Sequence, residues 1–244
     1  MRDKPTLLLV PGLMCDATSW GAVPSGLPEL DCRVVDHGQA DSLVQMAEQL
    51  LEQAPGRFAL AGHSMGGRVA LEVMRLAPER VTHLGLFDTG HLPKAAGAAG
   101  DDEVRKRMAL LAIAREQGVR AMAAEWVKGM VAPQRLQDAA LIESILAMFE
   151  RKSADIFERQ LRALIHRPDA TAVLQQVRVS TLVLCGELDA WSPPAQHQAT
   201  ADCIPARPAV VAVPGGGHMV MQEQPEAVLQ AMRQWLSSDK GLAC

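Results

Sequence analysis

Residues 58–74 read FALAGHSMGGRVALEVM, and this segment combines a strand pattern, a turn pattern and a helix pattern. The four apolar residues 58–61 favour a buried strand. The residues Gly62-His63-Ser64-Met65-Gly66 then form a GxSxG pattern, after which apolar residues recur at helical spacing. The segment therefore predicts a strand, a sharp turn at Ser64 and a helix over Met65–Leu76.

The turn at Ser64 requires an unusual backbone. To project its hydroxyl above a sheet, the serine must adopt a strained conformation, and side chains two residues away on either side would collide, which accounts for Gly62 and Gly66. The following helix directs its N-terminal amides to the place where negative charge would form in acyl transfer. A serine in an ordinary tight turn is the alternative, because GxSxG arises by chance in about one chain in ten of this length.

The rest of the chain alternates between strand-like and helix-like segments. Apolar runs with β character lie at Thr6–Val10, Cys32–Val35, Phe58–Ala61, Val81–Phe87, Thr181–Cys185 and Ala209–Val213. Helical patterns lie at Ser42–Gln53, Met65–Leu76, Pro194–Ile204 and Pro225–Leu236. Continuous apolar strands separated by helices are typical of parallel sheets that are buried on both faces. We predict an α/β fold with a mostly parallel central sheet of about six strands and helices on both faces.

One segment interrupts this alternation after the fourth strand. From about Asp101 to Ile165 the pattern is helical without a strand, and it is entered through the small residues 94–100, which suit a flexible hinge. An insertion at this place lies above the carboxyl ends of the strands, where ligands bind. We interpret residues 94–166 as a helical lid (cap) on an α/β-hydrolase-like core of residues 1–93 and 167–244. A helical bundle that only extends the core is the alternative.

The composition restricts the possible partners. The chain has 244 residues, of which 48% are hydrophobic and 21% charged, and its formal charge is −4, which excludes a disordered chain and gives no sign of nucleic-acid or membrane binding. The apolar run at residues 7–10 is too short for a signal peptide or a membrane span. Five cysteines without a CxxC pattern indicate reduced thiols rather than a zinc site. We expect a cytoplasmic monomer or homodimer without a metal or an organic cofactor.

A nucleophilic serine needs a base, and His218 is the predicted one. It follows the glycine loop 215–217 after the last predicted strand, so it is free to reach over the carboxyl edge of the sheet. The other six histidines are expected elsewhere: His63 in the core, His37 and His83 at strand edges, His91 and His166 at the two ends of the lid, and His197 on a surface helix.

The base in turn needs an orienting acid, and Asp189 is the predicted one. It lies in the loop that follows the fifth predicted strand. Glu187 comes too early in that loop, whereas Asp88 after the fourth strand is the reserve candidate. An aspartate that only caps the helix near Pro194 is the structural alternative.

The predicted oxyanion donors are the amide of Met65 at the start of its helix and the amide of Leu13 in the loop after the first strand. Methionine and tryptophan residues near these motifs indicate an apolar pocket that adapts its shape. The predicted substrate-binding residues are Met14, Trp126, Met130 and Met219. Methionines at helical spacing are at least as often ordinary core residues, which is the alternative.

These segments together resemble the α/β-hydrolase family, in particular its small esterase-like members, over nearly the whole chain. The resemblance depends on five pieces: Pro11-Gly12-Leu13 with Trp20, Asp36-His37-Gly38 with Ser42, the Gly62–Gly67 elbow, Gly186–Pro194 with Asp189, and Gly217-His218 followed by Glu223-Gln224-Pro225. It implies Ser64 as nucleophile, Asp189 as acid, His218 as base, and Leu13 and Met65 as oxyanion donors, in the family's chain order. Many members have His-Gly where this chain has Pro11-Gly12, which leaves the backbone donor intact.

The resemblance and the motifs predict one function above others. We expect a serine hydrolase that cleaves a carboxylic ester or a related small-molecule acyl substrate through an acyl-enzyme intermediate. Acyl transfer to an alcohol or thiol, and carbon–carbon bond hydrolysis, would use the same residues, and fold alone does not separate them. A ligand-binding protein with slow turnover is the third alternative.

Overall fold

Six parallel strands form the centre of the molecule, in a computed structural model that describes residues 4–54 and 56–237. The order across the sheet is β2-β1-β3-β4-β5-β6, and each neighbouring pair is parallel. The strands are β1 (Thr6–Val10), β2 (Asp31–Val34), β3 (Phe58–His63), β4 (Val81–Phe87), β5 (Ser180–Gly186) and β6 (Val210–Val213). The predicted α/β class and the predicted number of strands are both confirmed.

Eleven α-helices lie in the described ranges. They are α1 (Val23–Gly26), α2 (Leu43–Gln53), α3 (Met65–Leu76), α4 (Ala98–Glu116), α5 (Val119–Trp126), α6 (Ala139–Glu150), α7 (Ala154–Ile165), α8 (Thr171–Leu174), α9 (Pro194–Cys203), α10 (Val220–Glu223) and α11 (Pro225–Leu236). Short 3-10 helices cover Ala17–Trp20, Pro78–Arg80, Val127–Gly129 and Pro133–Gln137. None of the helices in the described part of the chain is both long enough and apolar enough to cross a bilayer.

Strand β1 illustrates why helices cover both faces of the sheet. Successive side chains of a strand point to opposite faces. Leu7 and Leu9 pack into one apolar cluster together with residues of α1 and α11, whereas Leu8 and Val10 pack into a second cluster with residues of α2, α3 and α9. All four side chains are buried. An unbroken apolar strand is therefore the sequence pattern that this two-sided burial requires.

The helices α4 to α7 lie between β4 and β5, where a helical insertion after the fourth strand was predicted. Ile145 and Met148 of α6 and Phe157 and Leu161 of α7 are fully buried, so the predicted apolar face of each helix packs inward. The interpretation of residues 94–100 as a hinge was wrong for its last part. Ala98–Gly100 form the first turn of α4, since alanine favours helix even in a stretch of small residues.

Three helices were not predicted from the sequence: α1, α8 and α10. Each has four residues, which is about one turn, and a period of 3.6 residues cannot show itself over one turn.

The carboxyl ends of four adjacent strands place the predicted site residues at one edge of the sheet. Ser64 follows β3, Asp88 follows β4, Asp189 follows β5 and His218 follows β6. Because parallel strands all end at the same edge, residues that are far apart in the sequence meet there.

Candidate active site

Ser64 lies on the sharp turn between β3 and α3. Its φ of 54° and ψ of −116° place a residue with a side chain in a sparsely populated backbone region. Its amide donates to the Phe87 carbonyl over 2.9 Å, which fixes the turn against β4. The strain predicted for this serine is present.

Gly62 and Gly66 allow the turn because no side chain would fit at either position. A Cβ on Gly62 would overlap the carbonyl oxygen of Gly66, and a Cβ on Gly66 would overlap the carbonyl oxygen of Val10. Both obstacles are backbone atoms, so a rotamer change cannot remove them. The sharp turn therefore depends on both glycines.

Gly66→Ala is expected to lower the free energy of unfolding by about 3 kcal/mol or more, because the new methyl group must displace backbone of β1. Gly56→Ala is the matched control, since a Cβ there meets no atom within 4 Å, and its effect is expected to stay within about 0.5 kcal/mol. Urea denaturation followed by circular dichroism measures both. Equal stabilities of the two variants would contradict the packing described for the turn.

The side chains of Ser64, His218 and Asp189 form one hydrogen-bonded row. The Ser64 hydroxyl lies 2.9 Å from Nε2 of His218, and Nδ1 of His218 lies 2.8 Å from Oδ2 of Asp189. His218 and Asp189 are both buried. The imidazole is therefore placed to accept a proton from the hydroxyl at one nitrogen while it donates to the carboxylate at the other.

Asp189 is held as a carboxylate by the loop after β5. Its Oδ1 accepts hydrogen bonds from the amides of Trp191 (2.8 Å) and Ser192 (3.0 Å). Burial by itself would raise the pKa of Asp189, but the charge of His218 and the hydrogen bond from it, together with the two amides, outweigh burial and lower that pKa. The carboxyl group is therefore ionised at neutral pH.

Asp88, the reserve candidate, lies near Asp189 and His218, but in the described residues it makes no hydrogen bond to the imidazole. Its Oδ1 accepts a hydrogen bond from the Gly186 amide over 2.9 Å, and the residue is fully buried. Burial, and secondly the charge of Asp189, raise the pKa of Asp88 well above its usual range. Of the two aspartates, Asp189 is thus the one in contact with the imidazole.

Backbone contacts fix the loop that carries His218. The amide of His218 donates to the Met130 carbonyl, and its carbonyl accepts from Nε2 of His63, each over 2.8 Å. His63 is buried in the core as expected. Burial, and secondly the nearby His218, lower the pKa of His63 to about 3, so its ring is neutral.

Glu223 also holds this loop, a contact that was not predicted from the sequence. Its carboxyl oxygens accept hydrogen bonds from the amides of Gly217 (3.0 Å), Met219 (3.1 Å) and Ala132 (2.8 Å). Two of these amides flank His218, and the third belongs to the segment between α5 and α6. One buried side chain therefore ties the histidine loop to the helical insertion.

The predicted oxyanion donors, Leu13 and Met65, lie at the same cavity as Ser64. Within residues 4–54 and 56–237, neither backbone amide donates to another protein group, whereas the next amide, that of Met14, donates to Oε1 of Gln160 over 2.7 Å. Both amides are thus available to an oxygen atom in the cavity.

The cavity has a volume of about 410 Å³ and extends from Ser64 under the helical insertion. Of the predicted substrate-binding residues, Trp126, Met130 and Met219 line it. The prediction for Met14 was wrong. Its side chain is fully buried in the apolar core and does not line the cavity, because the Gln160 contact holds its backbone in a turn with a φ of 63°.

Trp191 is a further residue of the cavity wall for which the sequence indicated no role. Its ring lies 4.9 Å from the His218 ring and stacks on Trp126 at 5.5 Å. Its position two residues after Asp189 was the one feature of the sequence that pointed to this place. An aromatic row therefore runs from the helical insertion to the imidazole.

His197 was predicted on a surface helix, and this was wrong. It is fully buried, and its Nε2 accepts a hydrogen bond from the Thr89 amide over 3.0 Å.

The described residues contain one grouping that brings three metal-ligating side chains together, namely Asp88, Asp189 and His218. The Nδ1 of His218 and Oδ2 of Asp189 are already hydrogen-bonded to each other, and Oδ1 of Asp88 is bonded to Gly186. The contact between His218 and Asp189 therefore already uses two of these atoms, whereas Oδ2 of Asp88 has no hydrogen-bond partner in the described residues. Cys15, Cys32, Cys185 and Cys203 are all free thiols, and Cys244 lies outside the described residues.

Comparisons with known proteins agree with this architecture. The model of the alpha/beta hydrolase family matches residues 7–231. A Haemophilus influenzae protein assigned as an esterase/lipase is 25% identical over 254 aligned residues, which cover 97% of this chain and 85% of that protein.

Two solved structures have a similar backbone. A thermophilic esterase from Thermogutta terrifontis superimposes with a TM-score of 0.81 at 29% identity, covering 96% of this chain and 90% of the esterase. The enol-lactonase from Burkholderia xenovorans superimposes with a TM-score of 0.83 at 18% identity, covering 97% of this chain and 92% of the lactonase. At the lower identity the likeness shows the fold alone.

Proposed function

Because the chain belongs to the alpha/beta hydrolase family, we propose that it is a serine hydrolase that cleaves a carboxylic ester or a related small acyl compound. The observation that supports this most directly is the continuous row Ser64–His218–Asp189, with contacts of 2.9 and 2.8 Å. A strained serine, an imidazole that contacts its hydroxyl and an ionised acid behind that imidazole are the components of nucleophilic acyl transfer.

In the first half of the proposed reaction, Ser64 becomes acylated. Its Oγ attacks the carbonyl carbon of the ester while Nε2 of His218 takes the hydroxyl proton. The carbonyl oxygen becomes an oxyanion, which the amides of Leu13 and Met65 stabilise. The tetrahedral intermediate then expels the alcohol, which receives its proton from His218, and the acyl group stays on Ser64.

In the second half, water releases the acyl group. Nε2 of His218 takes a proton from the water molecule, whose oxygen attacks the acyl carbon, and the second tetrahedral intermediate collapses to the carboxylic acid while the proton returns to Ser64 Oγ. Asp189 keeps the proton of neutral His218 on Nδ1 and stabilises the imidazolium formed in each half. In this proposed mechanism, His218 accepts and returns the proton in both halves of the reaction.

The helical insertion is proposed to act as a lid for this site, with residues 1–93 and 167–244 as the core beneath it. Trp126 and Met130 come from the insertion, and Met219 comes from the histidine loop of the core. Together they give the acyl group an apolar surface that excludes water from the reacting carbonyl.

A fluorophosphonate probe tests this function directly. We expect one covalent adduct per chain, located on Ser64 by peptide mass spectrometry, because only an activated serine displaces fluoride from the probe at a useful rate. Pre-treatment with the probe is expected to abolish hydrolysis of short 4-nitrophenyl esters in parallel with labelling. Labelling at another residue, or hydrolysis that continues in fully labelled protein, would refute the proposed function.

A further inference from the structure

Arg68 is a buried charge without a partner at the wall of the cavity. It is 8% exposed, and in the described part of the chain no hydrogen bond or ion pair reaches its guanidinium, whose Nη1 is completely shielded from solvent. Burial, and secondly the nearby Arg167, lower its pKa to about 9, so the group is still charged at neutral pH. A buried unpaired cation is costly, and such groups in proteins are normally paired.

The surroundings of Arg68 do not supply the missing partner. Glu103 lines the same part of the cavity, but its carboxylate is shared by Arg107 and Arg167 at 2.6 to 3.0 Å. Burial opposes ionisation of Glu103, yet the hydrogen bond from Arg167 and the charges of both arginines hold its pKa at about 2. Lys106, also on the wall, pairs with Asp102 outside it. Asp169 is the other carboxylate whose charge acts on Arg68, and its Oδ1 accepts from the amide and hydroxyl of Thr171. Three arginines, Arg68, Arg107 and Arg167, thus stand against the two carboxylates of Glu103 and Asp169.

Arg68 lies one turn of α3 beyond Ser64. Four residues of helix correspond to a rise of about 6 Å, and positions i and i+4 share a face of the helix. Ser64 and Arg68 line the same cavity, and the wall beside them is apolar at Leu110 and Leu161. A short carbon chain with an anionic end fits this order of a nucleophile, an apolar surface and a cation.

On the basis of the serine-hydrolase function proposed above, we propose that the substrate is an acyl compound that carries a free carboxylate on its acyl chain, and that Arg68 binds this carboxylate. A guanidinium presents paired N–H donors that match the two oxygens of a carboxylate. Binding gives Arg68 a hydrogen-bonded counter-charge, whereas Glu103 and Asp169 act on it through their charge without a hydrogen bond to it in the described residues. The position of Arg68 then determines which chain length places the ester carbonyl at Ser64.

The first test uses the wild-type protein and two substrates. 4-Nitrophenyl hydrogen glutarate carries a carboxylate where 4-nitrophenyl pentanoate carries a methyl group, and the two chains are otherwise the same. We expect kcat/KM for the glutarate ester to be roughly 10- to 100-fold higher, as for one buried hydrogen-bonded charge pair. Equal values, or a preference for pentanoate, would overturn the proposal without any variant.

The second test uses three variants and the same two esters. Arg68→Gln is expected to remove the preference for the glutarate ester, because kcat/KM falls much more for that ester than for pentanoate, and Arg68→Lys is expected to restore part of the preference. Arg105→Gln is the matched control, because it removes a cation from the exposed side of α4, where Arg105 pairs with Asp102. A structural role of Arg68 would lower both rates equally, and a general charge effect would appear in the control. Either result would overturn the proposal.

A binding measurement separates this inference from the proposed function. Free glutarate is expected to raise the Tm of Ser64→Ala protein by about 2 °C or more at saturating concentration, and to have less than half that effect when Arg68→Gln is added. Inorganic phosphate is the comparison anion. Stabilisation that does not depend on Arg68, or that is greater with phosphate than with glutarate, would overturn the carboxylate assignment but leave the hydrolase function standing. Failure of the fluorophosphonate test would remove the hydrolase function but leave anion binding at Arg68.

Discussion

Ser64→Ala is expected to lower kcat/KM for 4-nitrophenyl esters by at least about 10,000-fold, because it removes the only oxygen that His218 contacts at Nε2 in the described structure. The remaining rate would come from the amides of Leu13 and Met65 and from substrate binding alone. The rate is measured by release of nitrophenolate at saturating and sub-saturating ester. The loss is expected in kcat rather than in KM, since the cavity that binds the ester keeps its shape.

Ser25→Ala provides the matched control for this change. Ser25 is exposed, and its hydroxyl donates to the carbonyl of Ala22. The same loss of one oxygen is expected to leave kcat/KM within about twofold at that position. Thermal unfolding of both variants shows whether each is folded. A folded Ser64→Ala protein that retains more than about one hundredth of the wild-type rate would contradict the role of Ser64.

The sequence was most informative where chemistry depends on order along parallel strands. Ser64, Asp189 and His218 could be chosen because each follows a recognisable strand, and the ends of parallel strands lie at one edge of a sheet. The elbow at Ser64 could be predicted in detail, because the need for glycine at positions 62 and 66 comes mainly from the tight turn itself. The contact between Ser64 and His218 spans 154 positions, yet the topology alone brings the two together.

Contacts that depend on side-chain packing between elements could not be predicted from the sequence. Met14 was assigned to the pocket because it lies near the first loop, but its amide is bound by Gln160, 146 positions away. His197 was predicted on a surface helix, but it is buried and its partner is a backbone amide after β4. Neither contact leaves a periodic signal, since each joins one side chain to a backbone group of a distant element.

Arg68 could be predicted only in part, because the sequence shows its charge but not its contacts. The only signal in the sequence is a charged residue between the elbow glycines and the apolar run at 69–71. Without the structure this arginine could equally pair with an acid or reach solvent. Its lack of a partner is evident only when α4 and the segment after α7 are placed over it.

Asp189→Asn is expected to lower kcat by about 10,000-fold, the loss known for the same change in a serine protease. The asparagine side chain would keep the shape, but its amide group can donate to Nδ1 of His218. That contact favours the tautomer with the proton on Nε2, which cannot accept the proton of Ser64. The variant is expected to fold, because Oδ1 can still accept from the amides of Trp191 and Ser192. The measurement is kcat for a 4-nitrophenyl ester under saturating conditions.

Asp88→Asn makes the identical chemical change at the neighbouring carboxyl group and is expected to alter kcat by less than about tenfold. Burial, and secondly the charge of Asp189, raise the pKa of Asp88 and so favour its neutral form, which asparagine resembles, and the asparagine Oδ1 can still accept from Gly186. The two variants thus separate the acid that contacts the imidazole from the one that contacts the Gly186 amide. If Asp88→Asn lost as much activity as Asp189→Asn, the ionised carboxylate would have to be Asp88, and the order of charges derived for this site would be reversed.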